Sequence, residues 1–455
     1  MSESEKKQLK LPNWFTSEKV DTIIVAFVDV YGRLMGKRLT WNFFHDSVMK
    51  SGFHFCNYLT TVDIPMNILP GFKIASWDKG FGDFHVKLDL TTARLLPWHP
   101  GTAIIFGNTF DANGSVVEEI PRRVLGRQLE RLAKNSQKAC VGSELESYLY
   151  IETYRGVHDK GYRDLIPASD YAIDYHLLQP GRDEGVLGRI RNEMNQAGIP
   201  VECSKGETGK GQHEINLQYA EAMEMADRHT LYKMGVKDIA AQQGSSITFM
   251  PKPCQDDAGS GFHIHTSLWE ANGKVNLFFD EAAGPQSEIF RQFLGGLLKY
   301  SRELTYFFAP TVNSYKRYQP DSWAPTAIVC GGDNRTCGYR IVGSGSSLRV
   351  ENRMPCSDAN PYLAFAATIA AGLAGIDEKL DCGDVYQGNA YDDKNLPRLP
   401  ESLEEAAKLL DVSRFARDSF GAEVVDFYVR TAKAEIKAFH KAVTDWERKR
   451  YFEQM

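Results

Sequence analysis

Four stretches of the chain set acids, imidazoles and guanidiniums at spacings that could do chemistry. In "VGSELESYLY" Glu144 and Glu146 flank Leu145, and in "GSGFHIHTSL" His263 and His265 flank Ile264. In "SLRVENRMP" Arg349, Glu351 and Arg353 alternate with Val350 and Asn352, while "CSKGETGKGQHEINL" carries Glu207 and Glu214. Residues i and i+2 of a strand project to the same face of a sheet, so each strand gathers its polar groups on one side. Polar-out alternation on a half-solvated sheet accounts for any one of these strands. It accounts less well for the repetition, because the polar positions hold acids and imidazoles where Thr, Ser or Lys would serve. Like charges at i and i+2 gain nothing on a bare surface, whereas a divalent cation turns their repulsion into binding. Carboxylates with an imidazole suit Mg²⁺ or Mn²⁺ better than a thiolate-preferring metal.

Arginines supply the complementary half. Arg317 in "NSYKRYQP" and Arg335 and Arg340 in "DNRTCGYRIV" join Arg349 and Arg353. Planar guanidiniums are the preferred grip on carboxylate and phosphate. Acids that hold metals, together with arginines that hold phosphate, are the equipment of phosphoryl transfer. The run "GETGKGQ" resembles a phosphate loop in composition only: Lys210 is not followed by Ser or Thr, and G-x-x-x-x-G-K-[ST] occurs nowhere. A nucleotide, if bound, would have to be held through metals and arginines.

The elements that position these groups are legible along 455 residues, a length that allows two domains. The segment up to about Asn108 is strand-rich, with a hairpin over "DTIIVAFVDVYGRLMGKRLT" and a strand pair over "ARLLPWHPGTAIIFGNTF". Turn residues in "DANGSVVEE" mark a boundary, which we place so that residues 1–112 and 113–455 form separate units. A helix then opens at Pro121. Beyond it strands and helices intersperse, giving an α+β chain with a helical, charged tail from Leu403. The apolar run Tyr362–Ile376 is too short for a bilayer and reads as a buried helix. The net charge of -6 offers nothing to a nucleic acid, and eight cysteines without a C-x-x-C pair read as reduced thiols. With no secretory h-region at the N-terminus, the chain reads as soluble and cytoplasmic.

The motifs in their order resemble the glutamine synthetase superfamily of the bacterial dodecameric type: "GSELESYLY", "SKGETGKGQHEINL", "FMPKP", "GSGFHIHTSL", "NSYKRYQP", "DNRTCGYRI" and "RVENRMPCSDANPYLAFAA". The resemblance spans nearly the whole chain. It implies an N-terminal β-grasp domain and a C-terminal catalytic domain with a curved antiparallel sheet. It also implies two stacked hexamers with active sites between subunits; from charge, motif and the short apolar run, no partner in membrane or nucleic acid is expected. The implied chemistry uses ATP and two or more Mg²⁺ or Mn²⁺ ions to phosphorylate the γ-carboxylate of L-glutamate, after which an amine displaces phosphate. Position by position, Glu146, Glu207 and Glu214 would hold one metal, and Glu144, His263 and Glu351 the other. Arg317 would grip the glutamate carboxylate beside Gly259. Arg335, Arg340 and Arg353 would act on the phosphoryl group, and Tyr219, His265, Ser267 and Arg349 would contact ATP.

The departures from the family concern the amine. Where glutamine synthetases have a flap glutamate immediately before "AP", this chain has Trp323 in "NSYKRYQPDSWAP". The "DGSS" segment that attends ammonium is absent, and Asp63 in "FHFCNYLTTVDIPMN" is the one acid there, a candidate for deprotonating the amine. Loss of both acids with retention of every metal and phosphate residue resembles the branch that joins glutamate to a small primary organic amine. The alternatives are a glutamine synthetase using ammonia, in which Trp323 only fills space, and a pseudoenzyme, which the intact ligand set disfavours. With Asp63 the sole acid in view, the pocket leans to an uncharged alkyl or aryl amine over a polyamine. Pro397 follows "KNL" where the family's adenylylated tyrosine would stand, and Tyr391 is out of register, so that mode of control is not expected.

Overall fold

A computed structural model describes residues 11–281 and 284–455. The first sheet comprises β1 (Thr22–Val28), β2 (Leu34–Thr40), β3 (Phe53–Cys56), β4 (Asp83–Leu88), β5 (Arg94–Leu95) and β6 (Thr102–Phe110), in the order β2-β1-β6-β4-β3 with β5 beside β6. The β1–β2 hairpin turns on Asp29, whose buried carboxylate accepts from Tyr31 N at 3.0 Å, Arg33 N at 2.8 Å and Arg33 Nε at 2.7 Å. β1 then runs parallel to β6. A helical stretch over residues 41–51 lays Phe44 and Val48 on Ile23, Val25, Ala103 and Ile105. This is the β-grasp arrangement, a strand pair and crossing helix sharing one apolar face.

The second sheet holds β7 (Gln137–Tyr150), β8 (Val201–Gly206), β9 (Gln212–Glu221), β10 (Ser246–Thr248), β11 (Phe262–Glu270), β12 (Cys330–Gly332), β13 (Tyr339–Val342) and β14 (Arg349–Asn352). The strand order is β12-β13-β14-β11-β7-β9-β8, with β10 on β7. Every pair is antiparallel except β12–β13. Bulges in β7 between Val141 and Ser143, and in β8 between Val201 and Cys203, add the local twist that curves the sheet. Its register sets His263 opposite Glu144, Glu146 opposite Glu214, and Glu351 opposite both His265 and Arg340.

Alternation then sorts the two faces. Leu145, Ile215, Ile264 and Val350 point into the main core, against α1 (Pro121–Lys134), α2 (Glu184–Gln196), α3 (Ala222–Gln242), α4 (Glu288–Phe308) and α5 (Pro361–Asp377). The apolar run predicted as a buried helix is α5: from Pro361 to Gly375 none of its residues is exposed. Asn360 starts it, accepting from Tyr362 N at 3.1 Å, and donates to Val30 O at 3.1 Å in the N-terminal turn. Arg122 of α1 ties the units more firmly, pairing with Asp89 at 2.8 Å and Asp227 at 3.1 Å. A last long helix, α6 (Ala422–Lys441), brings Phe427 to 4.9 Å from Phe72. All eight cysteines are free thiols, and no helix among the described residues is long and apolar enough to cross a membrane.

Helices α4 and α5 touch backbone to backbone. A Cβ at Gly296 would collide with Ala371 O, and one at Gly375 with Gln292 O. Only glycine permits that approach, and the helix layer beneath the sheet depends on it. Gly375→Ala is therefore expected to destabilise the fold by about 1–3 kcal/mol, the usual cost of overpacking. The midpoint of chemical denaturation measures this, and an unchanged midpoint would show that the helices can part at no cost.

Candidate active site and metal centre

The polar face of the second sheet floors a cavity of about 670 Å³. Glu144, Glu146, Glu207, Glu214, His263 and Glu351 all line it, as do Gly259, Arg317, Trp323, Arg335, Arg340 and Arg353. One ligand atom each from Glu146, Glu207 and Glu214 falls within 4.8 Å of the others. The same holds for Glu144, Glu214 and His263, and for Glu144, His265 and Glu351. His263 Nδ1 lies 3.2 Å from Glu144 Oε2 and 3.6 Å from Glu351 Oε1, so the expected trio is also gathered.

Neighbouring groups fix each acid. Glu146 Oε2 accepts from Gly261 N at 2.6 Å and Gln212 Nε2 at 3.3 Å, and the same amide reaches Gly259 O at 3.1 Å and Ser260 Oγ at 3.0 Å. Glu351 sits between Arg353 Nη1 at 2.6 Å and Arg340 Nη1 at 2.8 Å, while Asp333 holds Arg340 from behind. Burial raises the Glu351 carboxyl, but the Arg353 guanidinium and the two imidazoles outweigh it and bring the group to about 2. Glu144 is likewise raised by burial and then held well below the carboxylate range by hydrogen bonds from His263 and His265.

The opposite holds on the other side. Burial, then the charges of Glu144 and Glu207, push the Glu214 carboxyl well up. Burial and Glu146 do the same to Glu207, although the Lys205 ammonium bonds to it. Carboxylates that repel one another in a recess, with donor sets of oxygen and imidazole, fit Mg²⁺ or Mn²⁺, which would supply the missing positive charge.

Arg317 is buried and makes no ion pair with a carboxylate among the described residues. Its Nη1 donates to Met354 O at 3.1 Å, its Nη2 to Arg353 O at 3.2 Å, and its Nε has no partner. A Cβ on Gly259 would stand 2.6 Å from Arg317 Cγ, and one on Gly261 2.6 Å from Nη2, so both glycines keep room for the guanidinium. Arg353 Nε is also unpartnered, and Arg335 is exposed at the rim without a partner among the described residues. These are donors waiting for an anion.

The residues expected at ATP cluster beyond His265. Arg349 Nε donates to His265 Nδ1 at 3.0 Å, which turns His265 Nε2 toward Glu144 Oε1, 2.8 Å away. Ser267 accepts from Trp269 Nε1 at 2.9 Å, and Tyr219 is exposed on β9. Arg349, His265, Ser267 and Tyr219 stand outside the lining of the acid cavity itself.

Trp323 projects into the mouth of the cavity, 58% exposed, on a backbone with φ 63°. The neighbouring Asp321 is left-handed as well, at φ 58°. Two such non-glycine residues mark a turn held by its surroundings. Arg353 Nη2 reaches Trp323 O at 3.5 Å, and the hydroxyl of Tyr391 donates to Ala324 O at 2.9 Å. The out-of-register tyrosine thus pins the flap.

One expected residue is not brought here. Asp63 stays on the N-terminal unit, folding its own turn by accepting from Asn67 N at 2.6 Å and Asn67 Nδ2 at 2.9 Å, and it does not line the cavity of its own chain. Asp174, which lines the cavity 3.7 Å from Lys205 Nζ, is a further acid at this site. Sequence reasoning missed Asp174, Lys205 and Gln212. Lys205 and Gln212 could have been found from the motif, since they stand two residues before Glu207 and Glu214. Asp174 lies in a loop with no periodic signal.

With this geometry in place, comparison with known proteins is informative. Residues 118–451 match the family described as glutamine synthetase, catalytic domain. The chain belongs to that family. It is 48% identical over 436 residues to the gamma-glutamylethanolamide synthetase GlnA4 of Streptomyces coelicolor, covering 96% of this chain and 93% of that protein. It is 35% identical over 459 residues, all of both proteins, to the glutamate–isopropylamine ligase of a Pseudomonas species. A solved structure titled as a GmaS/ADP complex superposes with a TM-score of 0.83 at 29% identity, over 95% of this chain and 97% of that one.

The raised Glu207 and Glu214 carboxyls give a prediction about metal binding. Groups raised in the metal-free protein hold protons near neutrality, and a cation must displace them. Calorimetry with Mn²⁺ in buffers of different ionisation heats is expected to show proton release near neutral pH, with affinity climbing from roughly pH 6 to roughly pH 9. Binding without proton release would place the ion elsewhere.

Proposed function

We propose that this protein is an ATP-dependent glutamate–amine ligase, forming a γ-glutamyl amide from L-glutamate and a small primary amine. The observation that carries this reading is one cavity combining buried, anion-seeking arginines and repelling carboxylates with an indole at the mouth where ammonia chemistry would want an acid. The names of the two relatives, acting on ethanolamine and isopropylamine, support it.

In this reading Arg317 takes the α-carboxylate of glutamate, and the space kept by Gly259 and Gly261 admits the amino-acid backbone. Glu146, Glu207 and Glu214 would hold one divalent cation, and Glu144, His263 and Glu351 another; the bound ions supply charge neutralisation for the phosphates and the γ-carboxylate. Tyr219, His265, Ser267 and Arg349 orient the nucleotide. A γ-carboxylate oxygen attacks the terminal phosphorus of ATP and ADP leaves. Arg335, Arg340 and Arg353 offset the charge on the phosphoryl group in flight. The amine nitrogen then attacks the acyl carbon, phosphate departs, and the nitrogen gives up a proton. Trp323 covers that step and presents an apolar wall to the alkyl part of the amine.

The amine end favours a small monoamine. Trp323, Tyr175 and Leu177 line it with exposed apolar surface, and its one added acid, Asp174, faces Lys205. A long polyamine would want free carboxylates. We also propose that residues 1–112 and 113–455 are separate domains, and that subunits assemble as stacked hexamers. A neighbour's N-terminal domain would then be the route by which Asp63 reaches an active site.

Phosphate release with glutamate, ATP and Mg²⁺ or Mn²⁺ tests the reading across ammonium, methylamine, isopropylamine, ethanolamine, putrescine and aniline. A small alkyl or hydroxyalkyl amine is expected to exceed ammonium by at least about tenfold in kcat/KM, a difference of about 1.4 kcal/mol in transition-state binding. Trp323→Glu is expected to reverse that ratio toward ammonium while leaving the KM for ATP within about twofold. Ammonium as the best substrate of the unaltered enzyme would make this a glutamine synthetase.

A further inference from the structure

Three of the eight cysteines gather behind the turn that carries Arg335. Cys330 opens β12, Cys337 lies late in the turn before β13, and Cys382 belongs to the segment that follows α5. The Cys330 thiol donates a hydrogen bond to the Cys382 sulfur, and Cys382 in turn reaches Gly383 O at 3.6 Å. Both cysteines are buried, yet Asp381 and Gly383, which flank Cys382, are exposed, so a small solute has a short way to its sulfur. Arg291 of α4 sets a positive charge beside the pair, donating to Asp381 Oδ1 at 2.6 Å and to Gly383 O at 3.1 Å. The bond from Cys330, with the Arg291 charge behind it, outweighs burial and brings the Cys382 thiol down to about 7. Burial instead pushes Cys337 up to about 11 and Cys356 to about 12. A thiol lowered beside a cation and touching a second sulfur has the two properties that select a cysteine for reversible oxidation.

The segment after α5 also braces the arginine side of the acid cavity. Tyr386 N donates to Cys330 O at 2.9 Å, Asn334 Nδ2 to Gly388 O at 2.8 Å, and Ala390 N to Thr336 Oγ1 at 3.0 Å. Tyr391 then reaches the flap at Ala324 O. Residues 382–391 thus run along the back of the turn that holds Arg335. β12 itself pairs Gly331 with Arg340 of β13. Whatever shifts β12 against this segment shifts two of the cavity's arginines with it.

We propose that Cys330 and Cys382 form a peroxide-sensitive modification site, whose reversible disulfide displaces the turn carrying Arg335 and slows catalysis. The Cys382 thiolate attacks one oxygen of hydrogen peroxide. The O–O bond breaks, and the departing hydroxide takes up a proton and leaves as water, so Cys382 becomes a sulfenic acid. The Cys330 sulfur then attacks that sulfenic sulfur. The S–S bond forms, the S–O bond breaks, and the Cys330 proton leaves with the hydroxyl as a second water. Two thiols lose two electrons and the peroxide gains them. Closing the bond brings the sulfurs to about 2.05 Å, nearer than hydrogen-bonded sulfurs stand, and so draws β12 and the segment after α5 together. The slowing of catalysis rests on the ligase reading, whereas the disulfide does not.

The test treats the full-length enzyme with hydrogen peroxide in metal-free buffer containing a chelator, removes the excess with catalase, and maps peptides without reduction. A cross-link between Cys330 and Cys382 is expected, and dithiothreitol is expected to remove it. Once Mg²⁺ is restored, phosphate release with glutamate, ATP and the best amine is expected to be at least about tenfold lower in the oxidised enzyme, since misplacing a site group by about an ångström costs up to about a hundredfold. Reduction is expected to restore it. Cys382→Ser and Cys382→Ala are both expected to keep the basal turnover and lose the peroxide response, two replacements that separate lost chemistry from lost folding. Hydrogen exchange over residues 331–338, expected to differ between the reduced and oxidised forms, reads the displacement without turnover. No cross-link in the unaltered enzyme, a cross-link to Cys337 instead, or a cross-link that leaves both turnover and exchange unchanged would each overturn the proposal. Silence with every amine would sink the ligase reading alone, because the peptide map and the exchange still decide this site.

Discussion

Everything at the acid cavity follows from one constraint: carboxylates are buried beside one another on a single sheet face. Two unit charges 4 Å apart interact by about 4 kcal/mol at the effective dielectric of a protein surface, and repulsion of that size has to be offset. The molecule answers differently on its two sides. Around Glu351 the answer is built in, with Arg340 and Arg353 bonded to its two oxygens. Around Glu207 and Glu214 it is incomplete, since only Lys205 is near and the carboxyls remain raised by burial and each other. That asymmetry is what a binding site for a further cation looks like: enough positive charge to fold, too little to be content.

The sheet makes this possible where a loop would not. Pairing fixes Glu144 against His263 and Glu146 against Glu214, so the acids are held by the backbone ladders of β7, β9 and β11. The opposite face of the same strands buries Leu145, Ile215 and Ile264 in the core. A one-residue slip would put every acid in the core and every apolar residue in the cavity. Core stability and site geometry are therefore the same fact seen from two faces.

This also explains which parts were legible in the sequence. Period-2 alternation is local, so Glu144 with Glu146, and His263 with His265, could be read directly and lie as read. The helix from Pro121 and the buried run that became α5 announced themselves by their first residue and their composition. Pairing partners are not local, and only the resemblance to a family supplied the grouping of Glu351 with residues from β7 and β11. Asp63 lies outside the cavity of its own chain, where its carboxylate caps its own turn, so local pattern alone does not assign it to a site. Gln212 and Lys205 were overlooked because a polar residue inside a motif already explained by its acids raised no question.

Trp323 poses the remaining physical question, why an indole should stand where an acid serves ammonia. An alkyl amine with a lysine-like pKa of ~10.4 is overwhelmingly protonated at neutral pH, and reaching its neutral, nucleophilic form costs about 4.6 kcal/mol. An acid at the flap would stabilise the ammonium ion and then have to remove its proton. An apolar wall acts on the other side of that equilibrium, because desolvation disfavours the charged form and lowers the amine's pKa. It also gains the burial of the alkyl group, about 0.8 kcal/mol per methylene, which ammonia does not offer. The left-handed backbone at Asp321 and Trp323, and the bond from Tyr391 to Ala324, fix the turn that carries the ring. In the proposed reading, an indole in place of the acid shifts what the flap would recognise from a charge to a hydrocarbon, while the arginines beneath it need not move.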